Sequence, residues 1–161
     1  MNSAVTSRPF PRADSVRPFK VGAYGFVLLG IGHLALSAVA ASTAQAPERS
    51  EAERAMREST FVLLGLERTV LDLFDGMSIA MAFFAAACGL LILAAVRHAP
   101  ALVQRRTAFG WMALAVSLAV LATAVLLLPP PPIVVLTVTS CGFALSLRRA
   151  AAPTARAAAG A

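Results

Sequence analysis

Charged residues are scarce in this sequence, and none interrupts its longest apolar stretches. Only 14% of the 161 residues are Asp, Glu, Lys or Arg, whereas 58% are hydrophobic and the mean hydropathy is +0.76. A single domain of this length has too little interior to bury so much apolar surface, so lipid must cover a large part of it. The shortage of charge therefore excludes an ordinary soluble domain.

Residues that carry chemistry are also few. The two cysteines, Cys88 and Cys141, lie inside apolar stretches, which is typical of small packing side chains and not of a disulfide framework. The sequence has no glycine-rich phosphate loop, no Ser/His/Asp set and no paired-cysteine motif. We therefore expect no metal site and no cofactor, and the sequence favours a protein that is not an enzyme.

Four apolar stretches are candidates for membrane-spanning helices. The first three hold 20 or 21 residues without a charged side chain, and at about 1.5 Å per residue each covers roughly 30 Å, the thickness of the hydrocarbon core. The fourth is shorter and must begin within the proline run 129–132, with Pro131 or Pro132 in its first turn. The predicted spans are residues 21–41, 76–96, 109–128 and 132–147.

Basic residues indicate how these spans are oriented. Ten lie in the N-terminal segment, the second loop and the C-terminal segment, against the single acid Asp14, whereas the first loop holds four basic and seven acidic residues. The positive-inside rule then places both termini and the second loop in the cytoplasm. Four aromatic residues are predicted as interface anchors at the cytoplasmic ends: Phe19, Tyr24, Phe109 and Trp111. Thirteen of the fourteen basic residues are Arg, which together with frequent Ala is typical of a bacterial source.

The remaining segments complete the predicted organisation. Residues 1–20 are expected to form a disordered basic cytoplasmic tail, residues 21–147 the transmembrane domain and residues 148–161 a second cytoplasmic tail. In the first loop, residues 48–66 favour a helix that lies in the outer interface, or alternatively a solvated helical arm. A cleavable signal peptide ending near Ala38-Val39-Ala40 or Ala44-Gln45-Ala46 is an alternative to the first span, but the apolar stretch is longer than a usual signal core.

Each predicted span carries a stripe of small or weakly polar residues at helical spacing. In a bilayer, helices associate by close packing of such residues, so the stripes predict an all-α fold, an integral membrane antiparallel four-helix bundle. The third span, for example, places Gly110, Ala113, Ser117 and Ala124 on one face. The residues predicted to pack between helices are Gly30, Ser37, Gly76, Ser78, Ala82, Gly89, Ser117 and Ser140.

Three polar residues are candidates for function. His33 is the only ionisable residue well inside a predicted span. Such a group can serve as a proton carrier or a ligand. Alternatively, its imidazole hydrogen-bonds to a Ser hydroxyl or a backbone carbonyl and joins two helices. Asp72 and Asp75 precede the second span, where carboxylates cap helix N-termini. The alternative for Asp75 is a proton relay with His33. No second metal ligand lies within four positions of His33, which disfavours a metal site.

Short motifs in and before the first two spans resemble a known family. They are Leu29-Gly30-Ile31-Gly32-His33-Leu34, Met56-Arg57 and the stretch Leu71-Asp72-Leu73-Phe74-Asp75-Gly76-Met77-Ser78. They resemble small four-span bacterial integral membrane proteins that have no assigned activity, over residues 21–147 and mostly as topology. The resemblance draws attention to His33, Asp72 and Gly76 but implies no function.

These observations together predict a non-enzymatic multi-pass protein of the bacterial inner membrane. Its expected partners are membrane lipids and a membrane protein or a second copy of the chain, and not nucleic acid, because the net charge of +6 comes from residues at helix ends. Two alternatives remain open. One is a small proton-linked carrier or channel that uses His33, and the other is a membrane enzyme acting on a lipid or quinone at the outer face.

Overall fold

The computed structural model of this chain is mostly helical and describes residues 15–43, 47–104 and 107–158. Residues 1–14 of the predicted tail, the alternative cleavage site at 44–46 and residues 159–161 lie outside the described residues. The elements in chain order are α1 (Val16–Ser42), α2 (Pro47–Glu58), β1 (Thr60–Leu63), β2 (Leu66–Thr69), α3 (Val70–His98), α4 (Ala101–Gln104), α5 (Ala108–Leu127) and α6 (Pro130–Ala158).

Four of these helices are long and apolar enough to cross a membrane, which confirms the predicted number and is the pattern of a multi-pass membrane protein. The helices extend beyond the apolar stretches, since α1 begins five residues before the predicted span and α3 six residues before it. Hydropathy marks only the apolar part of a helix, whereas the hydrogen-bonded turns continue until a residue caps them. The candidate membrane-spanning segments are Val16–Ser42, Val70–His98, Ala108–Leu127 and Pro130–Ala150.

The chain divides into two compact units. The first contains the start of α1, up to Gly25, together with the chain from Ile92 onwards, and so includes α5 and α6. The second runs from Phe26 to Leu91 and contains the rest of α1, the first loop and most of α3.

Aromatic packing forms the centre of the first unit. The Phe19 side chain is fully buried, and its ring centroid lies 5.7 Å from that of Phe109 and 4.7 Å from that of Phe143. The prediction of Phe19 as an interface anchor is therefore wrong. Residues 16–20, predicted to be disordered, form the first turns of α1, because burial of this ring secures them to the unit.

Glycines bring α1 and α6 into backbone contact in the same unit. A Cβ on Gly142 would lie 2.8 Å from the Pro18 carbonyl oxygen and 2.9 Å from the Gly22 amide nitrogen. Gly22 in turn leaves room for the ring of Phe143. The Ser146 hydroxyl donates a 2.7 Å hydrogen bond to the Ser15 carbonyl oxygen. This buried carbonyl, just before the start of α1, therefore has a hydrogen-bond partner.

The buried face of α5 consists of small residues. Its buried residues are Gly110, Ala113, Ser117 and Ala124, the same four that helical spacing predicts. On the neighbouring helix α6, the Ser140 hydroxyl donates a 3.1 Å hydrogen bond to the Ser117 hydroxyl. Between the two helices lies a short turn, and α6 begins at Pro130, where the missing proline amides need no acceptor.

The packed face of α6 differs from the expected small-residue stripe. Leu136, Thr139 and Phe143 are fully buried, whereas the small residue Thr137 is exposed. A stripe of small residues identifies only close backbone contacts, so it misses large side chains that fill the space beside a glycine on the facing helix. Phe143 beside Gly22 is such a case.

The first loop contains a β-hairpin that the sequence did not suggest. Helix α2 ends at Glu58, and the Ser59 hydroxyl donates to the Ala55 carbonyl oxygen at 2.8 Å. β1 and β2 then pair in antiparallel register from Thr60↔Thr69 to Leu63↔Leu66. The predicted helix over 48–66 is therefore shorter, because Leu64 and Gly65 adopt φ values of 54° and 82°, the positive pair that a two-residue hairpin turn requires.

Candidate functional site

His33 meets Ser78 in the second unit. The imidazole Nε2 lies 2.7 Å from the Ser78 hydroxyl oxygen, and both side chains are half-buried. If the imidazole proton is on Nδ1, the serine hydroxyl donates to Nε2, and in the other tautomer Nε2–H donates to the hydroxyl. The contact joins α1 to α3 across 45 positions of sequence.

Close helix packing one turn away positions this hydrogen bond. Gly30, one turn before His33, is buried, and a Cβ on it would lie 2.7 Å from the Ala86 amide nitrogen and closer still to the Ala82 carbonyl oxygen. The two helix backbones therefore touch at this point. Because Ala82 follows Ser78 by one turn, the same faces that meet at Gly30 present the imidazole and the hydroxyl to each other.

Asp75 does not take part in this contact. Its side chain is exposed, and among the described residues no hydrogen bond joins it to His33. Asp75 precedes Ser78 by three residues, so it lies closer to the start of α3 than the imidazole's partner does. The structure thus brings His33 together with a serine hydroxyl, and not with the carboxylate that a proton relay would need.

Asp72 has a different role at the start of α3. The Thr69 amide donates to an Asp72 carboxylate oxygen at 3.1 Å, and the Asp72 amide donates to the Thr69 hydroxyl at 3.0 Å. This reciprocal pair is a capping box, which provides acceptors for two amides near the helix start. The carboxylate also lies at the positive end of the helix dipole. Asp72 is exposed, and its contacts are those of a residue that caps a helix.

The residues expected to pack between helices divide into two groups. Gly30, Ala82, Gly89, Ser117 and Ser140 are buried and Ser78 is half-buried, whereas Ser37 and Gly76 are exposed. Ser37 belongs to an exposed stretch of α1, residues 35–39, beyond the close contact at Gly30. A Cβ on Gly76 would meet nothing within 4 Å, so this glycine makes no helix contact.

Gly76 instead lines a groove that sequence reasoning missed. An open groove of about 350 Å³ lies between the hairpin and the first turns of α3. Arg68 and Asp72 supply its charged groups, and its other lining residues are Phe61, Leu63, Leu73, Gly76, Met77 and Ala80. The groove depends on the hairpin, whose residues were predicted to be largely helical, so no pattern along the chain indicated it.

The described residues contain no cluster of metal-ligating side chains. No three His, Cys, Asp or Glu side chains come together as a metal-ligand set in the part of the chain that the structure covers. Cys88 and Cys141 are free thiols and both are exposed, so neither packs in the interior as the sequence suggested. Every buried side-chain polar atom in the described ranges has a hydrogen-bond partner.

Comparisons of this chain with protein-family models, with curated proteins and with solved structures found no match. The resemblance to small four-span bacterial membrane proteins therefore stays a prediction.

Proposed function

We propose that this chain is a non-enzymatic multi-pass protein of a bacterial inner membrane, and that it acts by binding lipid, a membrane partner or a second copy of itself. In this proposal the four long helices form an antiparallel bundle, with both termini and the loop around residues 99–107 in the cytoplasm. The arrangement of basic residues supports the orientation. Many large apolar side chains on the long helices are exposed, which supports a lipid-covered surface.

The contact between His33 and Ser78 is the observation that carries the non-enzymatic role. An imidazole inside a span is the chain's best candidate for chemistry, yet its Nε2 is engaged by a hydroxyl on the facing helix at 2.7 Å. A hydrogen bond between transmembrane helices contributes on average about 0.6 kcal/mol and at most about 1.7 kcal/mol. In this proposal the contact joins two helices and accounts for a polar residue inside a candidate span.

A double-mutant cycle tests this role. We expect His33→Leu and Ser78→Ala each to lower the free energy of unfolding, and the pair to show a coupling of about 0.6–1.7 kcal/mol. His33→Gln is the matched control, because the Gln side chain places a hydrogen-bonding nitrogen near the position of Nε2 but does not titrate. The measurement is reversible unfolding in mixed micelles followed by circular dichroism.

The same variants distinguish a structural hydrogen bond between His33 and Ser78 from a proton carrier. The non-enzymatic proposal expects proton flux in proteoliposomes to be equal for the wild type, His33→Gln and His33→Leu. A flux that is present in the wild type and lost in a folded His33→Gln variant would overturn it, because the Gln side chain keeps a hydrogen-bonding nitrogen but does not carry protons. Reporters fused to both ends and inserted in the turn at Pro129 test the orientation, with the ends expected in the cytoplasm and the turn in the periplasm.

A further inference from the structure

The tip of the β-hairpin exposes leucine side chains without any cover from the second unit. Leu64 is 96% exposed, and Leu63 and Leu66 are 57% and 59% exposed. Together they expose the equivalent of about two whole leucine side chains, and the removal of that apolar surface from water is favourable. Val62 beside them is 71% exposed. In water, these exposed side chains would contribute nothing to the stability of the hairpin.

Only the pair next to the turn of the hairpin is apolar on both strands. In a hairpin with one solvated face, apolar and polar side chains alternate between the two faces. Here the pair next to the turn is Leu63↔Leu66, and the next two pairs, Val62↔Glu67 and Phe61↔Arg68, place the charged residues of β2 further from the turn. The base carries the Thr60↔Thr69 pair. Such a gradient suits an element that enters an apolar phase tip first.

The turn itself is unfavourable in water. Leu64 adopts a φ of 54° and precedes Gly65 in a turn with two positive φ values. Turns of this type favour Asn or Asp followed by Gly, and a left-handed conformation is unfavourable for an L-residue such as leucine. Leucine at this position therefore costs conformational free energy and exposes an apolar side chain, two effects that a contact with lipid would offset.

The hairpin runs alongside the start of α3. Its base is secured to the helix, since the Val70 amide donates a 2.9 Å hydrogen bond to the Ser59 carbonyl oxygen. Leu63, next to the turn, lines the same groove as Ala80, ten residues into α3. Four strand residues span about 13 Å and the helix from Val70 to Ala80 rises about 15 Å. The tip thus points along α3, in the direction in which that helix continues.

We infer that the hairpin tip, Leu63, Leu64 and Leu66, inserts into the outer leaflet beside α3, and that lipid acyl chains cover it and fill the groove. This inference rests on the proposed membrane function. It continues the exposed apolar surface of α3, where Met77 is 65% exposed. The depth is limited to the boundary between headgroups and acyl chains, because the outer edges of a two-stranded hairpin carry unpaired backbone groups. Arg68, near the base, then lies at the level of the lipid phosphates.

Tryptophan fluorescence in lipid nanodiscs tests the inference on the full chain. Trp111 is the only tryptophan, so Trp111→Phe gives a silent background in which Leu64→Trp is the probe. We expect a blue-shifted emission that brominated acyl chains quench and aqueous iodide does not. Bromine placed near the headgroup end should quench more than bromine near the chain end, because the tip is shallow. Leu66→Trp is a second probe in case the first variant does not fold.

Two control positions separate failure of the inference from failure of the proposed function. Phe84→Trp lies near the middle of α3, where the side chain is 72% exposed, and should be quenched most by bromine near the chain end. Glu51→Trp, on exposed α2, should be quenched by iodide only. If Phe84→Trp responds to brominated lipid while both tip probes respond only to iodide, the tip is in water and the inference is overturned. If Phe84→Trp also fails to respond, the membrane function itself is wrong.

A second copy of the chain is the competing occupant. It would shield the tip probes from iodide and from brominated lipid alike, and energy transfer between donor- and acceptor-labelled chains would rise as more chains are placed in one nanodisc. That result would overturn lipid insertion. Leu64→Asn adds a further measurement, since it suits the turn but removes the apolar side chain. We expect this variant to keep its helix content and to increase iodide quenching of Leu66→Trp.

Discussion

The contact between α1 and α3 can be tested with two glycines two positions apart on α1. Gly30 is buried against α3, whereas a Cβ on Gly32 would meet nothing within 4 Å. Replacing each glycine by alanine gives a matched pair, because both changes add one methyl group to the same helix. Only the surroundings of the added methyl group differ.

The expected magnitudes follow from these surroundings. Gly32→Ala should raise the free energy of unfolding by up to about 1 kcal/mol, since alanine favours the helix more than glycine. Gly30→Ala has the same intrinsic gain, but its methyl group would lie 2.9 Å from the Ala86 Cβ and 2.7 Å from the Ala86 amide nitrogen. Overpacking of this kind costs about 1–3 kcal/mol. We therefore expect Gly30→Ala to be less stable than Gly32→Ala by about 1–3 kcal/mol.

The assay is reversible unfolding in mixed micelles, followed by circular dichroism, on both variants and the wild type. Relief of the overlap would move α1 and α3 apart, so Gly30→Ala should also weaken the hydrogen bond between His33 and Ser78. Its free energy of coupling, measured by the cycle described above, should fall in the Gly30→Ala background and stay unchanged in Gly32→Ala. Equal stability of the two variants would refute the argument, because the helices would then not be in backbone contact at Gly30.

Three further outcomes are expected. Thr69→Ala should lower the free energy of unfolding by about 1 kcal/mol, because the cap of α3 is lost. Asp72→Asn keeps an acceptor oxygen and should lower the free energy of unfolding less. Equal losses for the two variants in chemical denaturation would contradict the capping box. Gly142→Ala should reduce thermal stability, because the methyl group would meet the α1 backbone at 2.8 Å; an unchanged unfolding temperature would argue against that contact. Cys88 and Cys141 should react with a charged maleimide in denaturant but hardly in intact membranes. Both thiols are exposed on the protein surface, and lipid that covers this surface would keep a charged reagent away. Rapid labelling in membranes would place the thiols in water.

Some of the packing could be predicted because a helix repeats every 3.6 residues. The buried face of α5 is such a case, since small residues at helical spacing identify it directly. His33 and Ser78 likewise lie on the stripes expected for their helices. Their separation of 2.7 Å, however, depends on how α1 and α3 align along their length, and helical spacing contains no information on that alignment.

The hairpin shows where sequence patterns fail. Residues 60–69 are mostly apolar near the middle, so they show neither a clear alternation nor a helical period. Gly65 was the one local signal, and the leucine before it is unusual at that position of the turn. Phe19 was missed for a different reason. An aromatic residue next to an apolar stretch suits the membrane interface and a protein core equally well, and only its neighbours decide between them.

The sequence alone determined the number of long apolar helices, because the length of an uncharged stretch and the cost of placing charge in hydrocarbon are local properties. It also determined which residue types face inward on α5. Only the tertiary structure decided that the imidazole of His33 meets a serine and not a carboxylate, and that an apolar turn projects alongside α3. These features depend on the relative positions of residues far apart in the chain, which packing fixes and local composition does not.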